Sequence, residues 1–247
     1  MATLAQIWRH PIKSHGAEAL QSVELIAGKT MPWDRRWAVA HEAAQVDDTA
    51  WSRCANFSRG AKAPGLMAIS AETDEATGRV RLSHPDLSEL DVDPETEADA
   101  LIAWAAPLMP ADRAQSTRVV RVPERGMTDT DFPSISLNST SSLRALSQKA
   151  GVELDQRRFR GNLWLDGLGP WEEFEWIGKT LRIGTVEMRV VERIGRCLAT
   201  TANPQTGVRD VDTLGALQDG WDHTDFGVYA EVVTSGAVAV GDTVEVM

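Results

Sequence analysis

Cys197 sits in the segment Arg193-Ile-Gly-Arg-Cys197, which runs through Leu198-Ala-Thr-Thr201 into Asn203-Pro-Gln-Thr-Gly207. The residues before it, Val186-Glu-Met-Arg-Val-Val191, are largely apolar and β-prone. Those after it carry turn chemistry: an asparagine, a proline with fixed φ and a glycine free to take positive φ. This pattern places the thiol where a strand ends and a loop begins. Arg193 and Arg196 lie beside it, and nearby positive charge favours thiolate over thiol. A lone cysteine is more often a buried structural residue, so the neighbouring cations are what make this one a candidate. No second cysteine stands at metal-ligand spacing, which argues against zinc in a closed set of four protein ligands. One thiolate suffices for a soft transition metal if a cofactor brings most of the other ligands. A cysteine nucleophile with a histidine base is the competing chemistry. None of His10, His15, His41, His84 and His223 stands in a recognisable catalytic-cysteine signature.

Candidate anion-binding residues recur along the chain. Lys13-Ser14 joins an ammonium, a hydroxyl and free loop N–H groups; the plain alternative is a solvated loop. Asp34-Arg35-Arg36 offers arginine forks, which grip phosphate in bidentate fashion, unless the arginines only pair with Asp34. Arg53 is a weaker case of the same kind. Arg157-Arg-Phe-Arg-Gly-Asn162 packs three arginines into four positions of an acidic chain. Read as a strand, it puts Arg158 and Arg160 on one face. Gly161 would let a ligand or a second backbone come close, and Asn162 offers both a donor and an acceptor. A surface salt-bridge cluster is the alternative. Thr200, Thr201 and Asn203 complete the polar surroundings of Cys197.

The elements that must position these groups are mostly short strands. Thr3–Trp8, Ser22–Ile26 and Arg36–His41 read as strands, as do Leu66–Ala71 and Arg79–Leu82 with Thr77-Gly78 between them. Pro94–Met109 reads as a helix with an acidic first turn and a stripe at Ala98, Leu101, Ile102 and Ala105. Arg118–Val122 is a further short strand, and Glu124–Pro133 is the best linker candidate. Ser139–Leu146 reads as a helix capped at or near Ser139 and stopped by Gly151. Phe159–Leu165, Trp176–Gly178, Thr180–Ile183, Val186–Val191, Gly227–Val233 and Thr243–Val246 follow as strands, with a short helix at Thr213–Asp219. Short strands with turns between them are typical of a barrel.

The chain has 247 residues, enough for one large or two modest domains with a sizeable core. With 25 basic and 36 acidic residues its net charge is −11, which argues against general nucleic-acid binding and leaves room for a small basic pocket. Two cysteines, Cys54 and Cys197, make no disulfide framework, and with no secretion signal a reducing, cytoplasmic setting is expected. No apolar run approaches the roughly 20 residues of a spanning helix, so no membrane is expected as a partner.

Together these segments resemble the MOSC family, the molybdenum cofactor sulfurase C-terminal domain proteins. In the front half the likeness is carried by His10-Pro-Ile-Lys-Ser14 and Asp34-Arg-Arg-Trp-Ala-Val39. In the back half it is carried by Arg158-Phe-Arg-Gly-Asn162, Pro170-Trp-Glu-Glu173, Trp176-Ile-Gly178, Gly195-Arg-Cys-Leu-Ala-Thr-Thr201, Asn203-Pro-Gln-Thr-Gly207 and Gly241-Asp242. Within that family the chain is most similar to the branch of the mitochondrial amidoxime reducing component and its bacterial relatives. The resemblance implies a β-rich α+β fold, with a MOSC-type β-barrel packed against an N-terminal β-barrel-like domain and a cofactor cleft between them. It implies domains at residues 1–125 and 134–247. It also implies a pterin-dithiolene molybdenum cofactor with Cys197 as the metal ligand. Lys13, Ser14 and Arg35 would hold its phosphate end, and Ser139, Arg160 and Asn162 would contact phosphate or pterin; Arg53, Thr200 and Asn203 join the expected cofactor-binding set. The implied activity is reduction of small N-oxygenated compounds such as hydroxylamines or amidoximes. Electrons would come from a separate ferredoxin, flavoprotein reductase or cytochrome b5 type protein, since the chain carries no cluster cysteines beyond its last strand. A persulfide carried on Cys197, or cofactor carriage without turnover, are the alternatives. Two positions depart from the family pattern: Gly161 stands where a proline is usual, loosening that loop, and Asn203 where an acidic residue is common.

Overall fold

A computed structural model describes residues 1–247. Its first half contains β1 (Ala2–Arg9), β2 (Glu18–Leu20), β3 (Ser22–Leu25), β4 (Ala38–His41), β5 (Ser70–Asp74), β6 (Arg79–His84), β7 (Leu87–Val92), α1 (Ala98–Ala105) and β8 (Ser116–Val120). The second half contains β9 (Ile135–Ser139), α2 (Thr140–Ala150), β10 (Leu163–Asp166), β11 (Thr180–Ile183), β12 (Val186–Gly195), α3 (Thr213–Trp221), β13 (Asp225–Thr234), β14 (Gly236–Ala239) and β15 (Thr243–Val246). The expected β-rich α+β class is what the chain adopts.

Seven strands close into a barrel in the order β10-β9-β13-β12-β11-β15-β1, and β1 returns to β10 to complete it. Only β9 and β10 run parallel; the other neighbours are antiparallel. The barrel follows from alternation: in β12, Val186, Met188 and Val190 are buried while Glu187 and Arg189 are not. Its interior is filled by Leu4, Ile7, Leu137, Leu163, Leu165, Met188, Val228, Ala230 and others, nearly all without exposure. Each Leu, Ile, Val or Met among them contributes roughly 1.5–3 kcal/mol on burial. The helices α2 and α3 cover the outside of the barrel through Leu146, Leu217, Trp164 and Phe226.

The first half forms the barrel-like partner. The pair β4-β8 and the sheet β5-β6-β7, with α1, surround a second core of Ile12, Trp37, Val39, Leu66, Leu82, Val92 and Leu101. Three of its strands leave it: β1 is a stave of the barrel, β2 pairs with β1, and β3 pairs with β14.

Several expected elements change character. Leu66–Ala68 belongs to a tight turn, Pro64–Ala68, opened by its proline, and the strand begins only at Ser70. The expected helix Pro94–Met109 shortens to α1 followed by the turn Ala106–Leu108, because Pro107 cannot continue the α-helical hydrogen bonds. Trp176 falls in the turn Glu172–Trp176. Residues 157–160 are not a strand. The Asp155 carboxylate accepts the Arg157 N–H and opens the turn Gln156–Phe159, and β10 starts only at Leu163.

Candidate functional site

The loop after β1 is pinned to the segment around Arg35. The Lys13 N–H donates to Trp37 O at 2.7 Å, and the Arg35 N–H donates to His10 O at 2.7 Å. Asp34 ties the two together from below: it is buried, its Oδ1 accepts the His10 N–H at 2.8 Å, and its carboxylate pairs with the Arg35 guanidinium. Burial alone would push the Asp34 carboxyl up, but Arg35 and His10 hold it well below the usual carboxylate range. Burial, then the charges of Arg160 and Arg35, lower His10 to about 3, so its ring stays neutral. Lys13, though buried, reaches Met127 O at 2.7 Å and Asp129 Oδ1 at 2.5 Å. Burial raises Asp129, but Lys13 and Arg35 outweigh it and bring it to about 2.

Arg160 ends the turn Gln156–Phe159 in the left-handed conformation, with φ 48°. Its guanidinium donates to Gly16 O at 3.1 Å, and its own carbonyl accepts from Arg35 Nη2 at 2.9 Å. Burial, reinforced by Arg35, lowers Arg160 to about 9. Ser14 and Arg35 are also left-handed, with φ 64° and 50°. Such backbone is costly for residues other than glycine, and it gathers where function over-determines geometry.

Cys197 is exposed two residues past β12, at the head of the turn Leu198–Thr201, as the strand-to-loop pattern requires. Its carbonyl accepts from the Thr200 N–H and Thr200 Oγ1, both at 3.1 Å. The preceding Arg196 is fixed by three acceptors: Phe226 O and Phe159 O at 2.8 Å, and Asn138 Oδ1 at 2.8 Å. Burial lowers it to about 10. Arg158 binds Asp210 at 2.8 Å and Thr201 O at 3.2 Å, anchoring the same turn.

These groups meet in one cleft of about 240 Å³ between the barrel and the first-half core. Of the expected residues, Lys13, Ser14, Arg35, Arg160, Asn162, Cys197 and Thr200 line it. Asn162 lines it with its amide already engaged by Ser136 and Trp8. Three expected residues are not brought to the cleft. Ser139 caps α2, accepting from the N–H groups of Ser141 and Ser142. Asn203 shapes the following turn through Gln205 N and Asp210. Arg53 is exposed beside the cleft. Cys54, Arg59, Asp129, Arg158, Arg196 and Tyr229 also line it. Asp129 lay hidden in the turn-rich linker candidate. Tyr229, the chain's single tyrosine, carried no motif; burial and then Asp129 raise it, so it keeps its O–H.

Six cations, Lys13, Arg35, Arg59, Arg158, Arg160 and Arg196, thus face one cleft whose only lining carboxylate is Asp129. Arg160 and Arg196 are costly to bury as cations and have no carboxylate partner. A bound anion would relieve both. No group of three or more His, Cys, Asp or Glu is placed to hold a metal ion; the cleft's thiols are Cys197 and Cys54, the latter accepting from Arg59 Nη1 at 3.3 Å, so a metal here would depend on ligands that a cofactor brings. The donor set fits a phosphate-bearing cofactor that brings its own soft-metal ligands. No helix is long and apolar enough to cross a membrane.

Comparison with known proteins agrees with this architecture. Residues 1–106 match the family model of the MOSC N-terminal beta barrel domain, and residues 127–245 match that of the MOSC domain. The mitochondrial amidoxime reducing component 2 of Bos taurus is 24% identical over 99% of this chain and 83% of its own length. The human protein of the same name is 32% identical over 46% of this chain and 37% of its own. The molybdenum cofactor sulfurase of Caenorhabditis elegans is 33% identical over 42% of this chain and 15% of its own.

Proposed function

Because the chain belongs to the MOSC domain family, we propose that it holds a molybdenum cofactor and reduces small N-oxygenated compounds of the hydroxylamine or amidoxime type, with electrons from a separate protein. The observation that carries this reading is the exposed Cys197 thiol in a cleft lined by six buried or half-buried cations. Lys13, Ser14, Arg35 and Arg160 would hold the phosphate end, and Cys197 would ligate molybdenum. When bound, the cofactor would supply the two-electron chemistry that removes oxygen from nitrogen. Arg196, next in the chain to Cys197, cannot swing away, since three acceptors fix it. The exposure of Cys197 leaves the metal side open to a small substrate. Tyr229 is the cleft's phenolic O–H, while Asp129 is ionised at neutral pH and can only accept. Two free thiols suit the reducing, cytoplasmic compartment we propose.

The test is molybdenum and released pterin per chain after expression in a host that makes the cofactor, followed by hydroxylamine turnover. The wild type should hold both in near-equimolar amounts. Cys197→Ala should keep pterin, lose or alter the metal centre, and drop turnover by about 100-fold or more, as for loss of a metal ligand. Wild type with neither molybdenum nor pterin would overturn the reading. The match to a sulfurase supports a second reading, in which Cys197 carries a persulfide. A persulfide trapped on Cys197 in protein without molybdenum would favour that one.

A further inference from the structure

Most of the chain's Lys and Arg side chains are paired with carboxylates. Those without such a partner are not scattered. Arg59, Arg160 and Arg196 line the cleft. Arg53, Lys62 and Arg209 adjoin its mouth: Arg53 precedes the lining Cys54, Lys62 follows the lining Ala61, and all three are exposed. The other three are Lys149 on α2, Lys179 just before β11, and Arg125, whose guanidinium donates to Thr128 Oγ1, Thr130 O and Phe132 O. Arg209 also spans the rim physically. Its guanidinium donates to Leu198 O and Thr201 Oγ1 on the Cys197 side, and to Ala61 O on the other at 2.9 Å. Beside Arg209 two large apolar side chains stand out in solvent: Leu198, whose carbonyl it holds, at 50% exposure, and its chain neighbour Val208 at 61%.

An apolar centre ringed by unpaired charge of one sign is how protein docking surfaces are built. The sign matters here, because the chain as a whole carries −11. An acidic partner is repelled by most of the surface and attracted at this rim, so the field orients its approach toward Cys197. We propose that the rim formed by Arg53, Lys62 and Arg209, together with the exposed Leu198 and Val208 beside Arg209, is the docking surface for an acidic electron-transfer protein. This rests on the reductase reading above, which requires an external donor close to the thiolate.

A plant-type ferredoxin serves as the acidic probe and cytochrome c as a basic probe of similar size. Binding to the wild-type protein is measured by titration calorimetry at low and at physiological salt. The ferredoxin should bind, and its affinity should fall about tenfold or more as salt screens the rim. The double variant Arg53→Glu/Lys62→Glu should weaken it by a further tenfold or so, while Lys149→Glu/Lys179→Glu, an equal charge change elsewhere, should not. Lys62→Glu alone serves if the double variant fails to fold. Equal weakening by both double variants, no ferredoxin binding, or tighter binding of cytochrome c would overturn the proposal. So would tighter binding of phosphatidylglycerol vesicles through the same residues, which would assign the rim to a lipid surface. Hydroxylamine turnover driven by dithionite in cofactor-loaded wild type is read separately. Its absence would remove the reductase reading, and with it the electron-transfer role of the rim, whatever binds there.

Discussion

Of the three acceptors that fix Arg196, one is a side-chain amide that the fold goes to some length to accommodate. Asn138 has no exposure, and its Oδ1 accepts from Arg196 Nη2 at 2.8 Å while its Nδ2 finds no partner. Two glycines make room for it. A Cβ on Gly161 would lie 1.8 Å from Asn138 Nδ2, and one on Gly227 would lie 2.4 Å from Oδ1. The sequence invites a different reading of Gly161, as a place where a ligand or backbone comes close and where the loop slackens. The structure fills that space with a side chain, so the position is tight. A proline, usual in the family at this point, would bring the same Cβ. Gly161→Ala should therefore destabilise the protein by about 1–3 kcal/mol, the usual cost of overpacking, read as a lower urea midpoint. An unchanged midpoint would mean that Asn138 has room to move. The clustering of Lys13, Arg35, Arg160 and Cys197 was legible because each is chemically conspicuous in an acidic chain. Asn138 was not, because its role depends on two glycines from other segments.

Among the elements, β12 and α2 were legible and the turn at 156–160 was not. The alternation of Val186, Met188 and Val190 survives because β12 has one face in the barrel and one in water. The ends of α2 survive because Ser139 and Gly151 act locally, the latter with φ 71°. By contrast β9, Ile-Ser-Leu-Asn-Ser, alternates apolar and polar residues over only five positions and is buried along its whole length, so its polar side chains face protein partners and not water. Its partners are distant: Ser136 bonds Asn162, and Ser139 caps the helix that follows. The turn Glu172–Trp176 shows what burying an acid against α2 does to stability. Glu173 has no exposure, its carboxylate accepts from Ser142 Oγ at 2.9 Å, and burial pushes it up to about 7. A folded-state value above the unfolded one means stability that is full below the ordinary carboxyl value of 4.5 and lost as pH rises through 7. Glu173→Gln keeps an acceptor for Ser142 and cannot ionise. It should be more stable than the wild type by about 1–3 kcal/mol at pH 8, an advantage that shrinks toward pH 5. Thermal melts at the two pH values read this directly. An advantage independent of pH would mean that Glu173 does not carry the titration.

At the scale of the whole molecule, the hydrogen bonds do not follow the expected division into residues 1–125 and 134–247. The strand β1 lies at the start of the first segment and closes the barrel of the second, pairing with β10 on one side and β15 on the other. Its Leu4 and Ile7 are part of the barrel interior and have no exposure. The loop that leaves β1 carries Lys13 and Ser14 straight into the cleft, so barrel closure and the placing of these two residues are one event. The hydrophobic pattern shows β1 to be a strand; it cannot show which sheet takes it, because its barrel partners, β10 and β15, lie more than a hundred residues away. We propose the two-part division as one of sequence and not of folding units. A fragment of residues 127–247 lacks the stave between β10 and β15 and leaves two unpaired strand edges over an apolar interior. It should aggregate, or melt without a cooperative transition. The repair is specified by register: Ala2 lies opposite Val244 and Thr3 opposite Thr243 in an antiparallel pair, so the chain's two ends meet at one end of the barrel. Joining residues 1–21 after Met247 through a short glycine-rich linker should return β1 to its place as a hairpin with β15 and restore a cooperative thermal transition. If residues 127–247 melt cooperatively without that addition, the barrel is self-sufficient, and β1 serves only to deliver Lys13 and Ser14.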